Sequence, residues 1–204
     1  MAKGTKGKIL EAALEIFARD GYAGTNIKDI ADSVGIVKSA LYRHFESKEA
    51  IFNAAIDGMI SYYEGNVGSA ERLPEIPKSM GELYEMTMKM VNITVHDKKI
   101  IQVRRILLSE QFHDERMRDL ADHYFLYGTE EMFSRIFSVM MDKGIIKRCN
   151  PDVLAFSYTS PVTALIHLCD RDPAKEPEAM EMLKAFVKQF IEEYGVKVYE
   201  TGNN

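Results

Sequence analysis

A chain of 204 residues with 46% apolar side chains can form one medium domain or a small domain fused to a larger one, and it can bury a core, so disorder is not its default. A formal net charge of −5 excludes a protein that coats nucleic acid over its whole surface. The two cysteines, Cys149 and Cys169, are too few for a disulfide framework and lack the paired spacing of a zinc site; both read as buried or idle thiols in a reducing cytoplasm.

The three lysines before Ile9 are followed by a segment, Ile9 to Glu15, too charged for a signal-peptide core. No run approaches the roughly twenty apolar residues of a membrane span. The expectation is a soluble, cytoplasmic chain. Charge is unevenly spread: residues 1–50 sum to +1 and the remainder to −6, so any face for nucleic acid belongs at the front.

Helical periodicity runs through almost every segment, and no stretch alternates as a strand would, which predicts an all-α protein. The first helix is expected from Thr5 to Arg19, with Ile9, Leu10, Ala13, Leu14, Ile16 and Phe17 on one stripe and Gly21 placed for a left-handed cap. Asn26 and Asp29 form a capping pair for a helix that carries Ile27, Ile30 and Ala31 inward and ends at the Gly35 turn. Lys38 to Phe45 is the next helix. Ser47 caps a fourth, with Ile51, Phe52, Ala55, Ile56, Met59 and Ile60 on its apolar face.

Gly68 to Lys78, with Pro74 and Pro77, reads as a loop. Ser79 and Glu82 make a capping box that opens a helix through Tyr84, Met86, Met88, Met90, Val91 and Ile93. Ile100 to Phe112 forms another. Asp114 caps one long helix to Gly144, carrying Met117, Leu120, Ala121, Tyr124, Phe125, Met132, Ile136, Val139 and Met140 inward. Asn150 and Pro151 start the following helix, which Pro161 should kink. Asp170 to Pro177 reads as a loop, and Glu178 to Tyr194 as the last helix.

Two short helices joined by a glycine-containing turn, the second polar and aromatic at its exposed positions, form a helix-turn-helix. The pair is Ile27–Val34 and Lys38–Phe45. Thr25 and Asn26 sit at a helix start, where side-chain and backbone donors can hold a phosphate. Leu41 and Phe45, at i and i+4, supply the inward pair and turn Tyr42 outward. Over residues 21–49, from Gly21-Tyr22-Ala23-Gly24-Thr25 to Leu41-Tyr42-Arg43-His44-Phe45 and Lys48, the sequence closely resembles the signature of the TetR/AcrR family of transcriptional regulators.

The resemblance covers the first fifty residues in motif detail and the rest in helix number, length and order. It implies a three-helix helix-turn-helix DNA-binding domain at 1–48 and a helical ligand-binding and dimerisation domain at 49–204. It implies a repressor that binds a palindromic operator in double-stranded DNA as a homodimer and is released by a small apolar or amphipathic effector. Carried over position by position, the DNA contacts are Thr25, Asn26, Lys38, Ser39, Ala40, Tyr42, Arg43, His44 and Lys48, with Lys48 on a neighbouring phosphate. One position departs from the family: Val37 stands where a small polar residue is usual. It forgoes roughly 1 kcal/mol of helix capping and a possible phosphate contact, while its methyls suit a thymine methyl.

Leu154, Tyr158, Pro161, Leu165 and Leu168, then Met180, Leu183, Val187, Phe190 and Tyr194, alternate at spacings of three and four. Such a seam suits near-parallel helices, either an intrachain hairpin or, as the resemblance implies, the homodimer interface through the last two helices. Eight of the twelve methionines lie in residues 80–141; flexible thioethers suit an adaptable apolar pocket, and equally serve as core filler. The resemblance favours a pocket, expected among Met90, Ile93, Phe112, Tyr124, Phe125, Tyr158 and His167.

Glu110, His113 and His123 do not make a convincing metal site, because His123 lies well along the next helix from the other two. No nucleophile–base arrangement, phosphate loop or metal-spaced cluster points to an enzyme, so neither catalysis nor a cofactor is expected.

Overall fold

The computed structural model describes residues 4–196. Ten α-helices account for most of them: α1 (Thr5–Gly24), α2 (Ile27–Val34), α3 (Lys38–Tyr42), α4 (Lys48–Asn66), α5 (Met80–His96), α6 (Lys98–Glu110), α7 (Glu115–Asp122), α8 (Gly128–Asp142), α9 (Pro151–Arg171) and α10 (Glu176–Tyr194). Among the described residues the sole β-type pairing is one antiparallel bridge, Ile146 with Gly195. The chain divides into two compact units, Met1–Asn66 with His96–Asp122, and Val67–Val95 with His123–Asn204. The unit that holds the helix-turn-helix therefore runs on past residue 48, through α4, and also takes in α6 and α7.

In the first unit the stripe predicted on α1 is buried: Ile9, Ala13, Leu14, Ile16 and Phe17 lie against α2, α4 and α6, and only Leu10 is left half-buried. Phe17 and Tyr22 both meet the Phe52 ring of α4, each with centroids 4.9 Å apart. Gly21 interrupts α1 with φ 71 and ψ 172, a conformation open essentially to glycine alone. The helix axis breaks there, after the predicted end at Arg19. Asp97 caps α6 by accepting from the N–H groups of Lys99 and Ile100, which starts that helix at Lys98 and lets it end at Glu110, before Phe112.

In the second unit, Ser79 Oγ accepts from Glu82 N at 3.1 Å, the cap expected for α5, while Glu82 Oε2 accepts from Lys78 N at 2.8 Å, one residue before the N-cap itself. The buried face of α5 is Leu83, Thr87, Val91, Thr94 and Val95, whereas Tyr84, Met86, Met88, Met90 and Ile93 are half-buried. The threonines can face inward because each hydroxyl donates to the carbonyl one turn back, Thr87 to Leu83 and Thr94 to Met90. An aromatic group of Phe133, Phe137, Tyr158 and Phe190 fills the centre, the Tyr158 and Phe190 centroids 4.4 Å apart.

The single helix expected from Asp114 to Gly144 is three segments. Asp114 does cap its start, accepting from Met117 N at 3.1 Å, and Gly144 does follow its end with φ 68. Between them, His123–Tyr127 form a π-helical turn. Gly128 makes that turn possible, since a Cβ on it would lie 2.4 Å from the His123 carbonyl oxygen. The Thr129 hydroxyl donates to the Tyr124 carbonyl five residues back. Asn150 caps α9 through the N–H groups of Asp152 and Val153, with Pro151 in the first turn, as expected. The predicted loop at Asp170 to Pro177 is shorter: α9 persists to Arg171, Pro173–Lys175 make a 3₁₀ turn, and Pro177 sits in the first turn of α10. Cys169 is buried and Cys149 exposed, and no disulfide joins them.

Candidate nucleic-acid interface

The helix-turn-helix is built by local signals. Asn26 Oδ1 accepts from Lys28 N at 2.9 Å to open α2, and Gly35 closes it in the left-handed region with φ 74. Ile36 N then bonds back to Ala31 O at 3.0 Å, turning the chain into α3. Regular helix ends at Tyr42 instead of Phe45, and the N–H groups of His44 and Phe45 both return to Leu41 O. Leu41 and Phe45 are buried and fix the inner side of this segment. On the outer side Lys38, Ser39, Tyr42, Arg43 and His44 are exposed, and Ala40 is half-buried.

Within that face the Lys38 ammonium lies 5.7 Å from the Tyr42 ring centroid. A further cation comes from α1, where Lys6 Nζ sits 5.3 Å from the Phe45 ring centroid. Lys6 was visible in the sequence only as one of three lysines near the start; nothing in its spacing places it beside the end of the recognition segment.

Three expected contacts sit differently from the rest. Thr25 is buried, and its hydroxyl donates to Gly21 O at 2.7 Å, so it closes the end of α1. Asn26 is exposed, but its side-chain oxygen is the α2 cap. Lys48 is half-buried, with Nζ donating to the carbonyls of Tyr22 at 2.8 Å and Thr25 at 3.0 Å and lying 4.4 Å from the Tyr22 ring centroid. Two of its three donors thus pin the α1–α2 connection to the start of α4, leaving one for a phosphate.

The same connection is held from α6. Glu110 Oε1 accepts from Tyr22 N at 2.9 Å, and a Cβ at Gly21 would approach that oxygen to 3.1 Å. Salt bridges from Lys98 to Glu15 and Lys99 to Glu11 add to the α1–α6 contact. Glu110 is therefore a helix–helix clamp. Among the described residues no group of three or more His, Cys, Asp or Glu side chains is placed to hold a metal ion.

The expected pocket residues do not form one cluster. Phe112 belongs to the first unit and is 81% exposed in the turn after α6, so its ring lines no enclosed space. Tyr158 is fully buried in the aromatic centre of the second unit. Its hydroxyl bonds Thr87 Oγ1 at 2.6 Å, and because the Thr87 proton goes to Leu83 O, Tyr158 is the donor. Burial pushes that phenol above its ordinary range. Tyr124 is buried, Met90, Ile93, Phe125 and His167 are half-buried, and the Phe125 and His167 rings meet edge to face at 6.2 Å. None of the seven lines the apolar seam between α5, α9 and α10, where Val91, Val162, Leu165 and Met180 meet and leave no room for a water-sized molecule.

Residues 9–55, which contain α2, α3 and their supports, match the family model of bacterial regulatory proteins, tetR family. The helix-turn-helix segment is that of the TetR family. The front of the chain is 38% identical over 58 residues to the biofilm operon icaADBC negative transcriptional regulator IcaR of Staphylococcus epidermidis, a match that spans 28% of this chain and 31% of IcaR. The chain thus spans less than a third of that relative's length. The HTH-type transcriptional regulator YvkB of Bacillus subtilis matches at 22% identity across 86% of this chain and 90% of its own. Solved structures share the fold, two regulators among them. SmeT, the repressor of the Stenotrophomonas maltophilia multidrug efflux pump SmeDEF, superposes with TM-score 0.67 at 16% identity over 98% of this chain and 96% of SmeT. A transcriptional regulator from Rhodococcus sp. Rha1 gives TM-score 0.68 at 14% identity, covering 95% and 100%.

Proposed function

We propose that this chain is a TetR-family transcriptional repressor that binds a palindromic DNA operator as a homodimer and leaves it when a small apolar or amphipathic molecule binds the second unit. The observation that carries the reading is the exposed polar face Lys38, Ser39, Tyr42, Arg43 and His44, backed by buried Leu41 and Phe45, inside the segment matched by the family model. A short helix presented this way enters a major groove, with its first residues at base edges and its lysine, arginine and tyrosine also within reach of phosphates. IcaR is a negative regulator by name and SmeT a repressor, which favours repression. The site of action is the cytoplasm, and no described helix is long and apolar enough to cross a membrane.

The dimer forms through α9 and α10. The seam read from the sequence is largely intrachain, since Leu154, Tyr158, Leu183, Val187 and Phe190 are buried within the second unit. The same helices leave Val153, Phe156 and Met182 61%, 54% and 58% exposed. These apolar side chains are the surface a two-fold partner covers. Effector release follows from α6: a displacement of that helix reaches the α1–α2 connection directly through the Glu110–Tyr22 hydrogen bond, and so re-aims α2 and α3. Met90, Ile93, Tyr124, Phe125 and His167 remain the proposed effector contacts, with low-cost rearrangement supplied by the methionines.

The test is a mobility shift on the DNA upstream of the chain's own reading frame against a random duplex at physiological salt. Clear preference for a palindrome in that fragment is the expected result. Equal affinity for the two overturns the regulator reading. A thermal-shift screen with apolar and amphipathic metabolites tests the effector separately: no compound raising the melting temperature contradicts ligand response.

A further inference from the structure

Val37 stands in the N-cap position of α3 with extended backbone, φ −77 and ψ 150, and its side chain makes no capping hydrogen bond. It is 68% exposed. A serine, threonine, aspartate or asparagine at this place would accept an N–H from the first turn; the valine forgoes that bond and keeps a branched apolar group in water. Its backbone is engaged, with Val37 O accepting from Ala40 N at 2.9 Å and Leu41 N at 3.3 Å, so the side chain is held at a fixed point at the entrance to the recognition segment. The exposed residues that follow, Lys38, Ser39, Tyr42 and Arg43, all end in polar groups, and Lys38 lies over the Tyr42 ring. Among the exposed side chains of this face Val37 is the purely hydrocarbon one, Ala40 being half-buried.

Building on the DNA-reading function proposed above, we infer that Val37 is a specificity residue that packs on the C5 methyl of one thymine in each half-site. Base edges in the major groove present nitrogen and oxygen donors and acceptors, and the thymine methyl is their apolar feature. The residues at the start of a recognition helix are the ones that reach base edges. A β-branched side chain loses little freedom on docking, because its χ1 is already restricted. A hydroxyl residue in its place would cap α3 or meet phosphate, and neither of those contacts distinguishes thymine from another base.

The probe is a duplex that the full chain selects from a randomised pool, with each thymine replaced singly by deoxyuridine, which lacks only the C5 methyl. Wild type should weaken about fourfold at one thymine per half-site, the factor that burying a single methyl group gives. Val37→Ser should bind the thymine and deoxyuridine duplexes alike at that position and melt at or above the wild-type temperature, because it regains a cap. Val37→Ala should lose the same discrimination without the thermal gain. Indifference of wild type to every deoxyuridine, or discrimination that survives in Val37→Ser, overturns the inference while DNA binding itself stands. If wild type enriches no sequence from the pool, the function on which the inference rests fails instead.

Discussion

Lys48 has one ammonium group and two candidate tasks. With donors committed to the carbonyls of Tyr22 and Thr25, its loss leaves two partly buried acceptors short of a partner. Lys48→Ala should therefore lower stability by about 1–3 kcal/mol in urea denaturation and weaken binding to all DNA sequences together. Lys38 is exposed and packs only on Tyr42, so Lys38→Ala should leave stability within about 0.5 kcal/mol and change which duplexes are preferred. Identical denaturation curves for Lys48→Ala and wild type would return Lys48 to a purely phosphate-binding role. The inward pair Leu41 and Phe45 was legible because its spacing is that of a helix face. Thr25 and Lys48 were not, because their partners are main-chain carbonyls that no residue pattern marks.

Among the elements, caps were the most legible feature. Asn26, Ser79, Asp114 and Asn150 each do what their residue type and position predict, since the interaction is complete within four residues. The π-helical turn was hidden, because the apolar period on either side continues as if the helix were whole. Gly128→Ala tests it: a Cβ 2.4 Å from the His123 carbonyl oxygen forces the turn to rearrange, at a cost of about 1–3 kcal/mol read by thermal or chemical denaturation. A neutral outcome would mean that the turn converts to α-helix without loss. The Asp97 cap carries a pH signature. Burial works to raise its carboxyl, but the Tyr62 hydroxyl, the N–H groups of Ile100 and Lys99 and the Lys99 charge outweigh that and hold it below the ordinary aspartate range. A carboxyl lowered by folding stabilises the fold above its unfolded value, about 3.9, and loses that contribution as pH falls through the folded value. Melting temperatures from pH 7 to 3 should fall less steeply in Asp97→Asn, which keeps a capping oxygen, than in wild type. Parallel acid limbs would contradict this.

For the molecule as a whole, the all-helical class was readable from periodicity, and the DNA-reading segment from its motif. The packing of α6 and α7 with the front of the chain was not readable, since nothing local says which of two cores a mid-chain helix joins. In the proposed function, operator reading depends on dimerisation. Phe156→Asp with Met182→Asp places two charges on the exposed apolar surface of α9 and α10 and should leave a folded monomer by sedimentation, with operator affinity lost. A double variant that sediments as wild type would put the interface elsewhere. We propose that two copies of the segment Lys38 to His44 read adjacent turns of one duplex, and a hydroxyl-radical footprint on the selected operator measures this. Two protected half-sites related by two-fold symmetry are expected, their centres about 10 base pairs or a multiple of that apart. A single protected patch, or uniform cleavage at saturating protein, would contradict it.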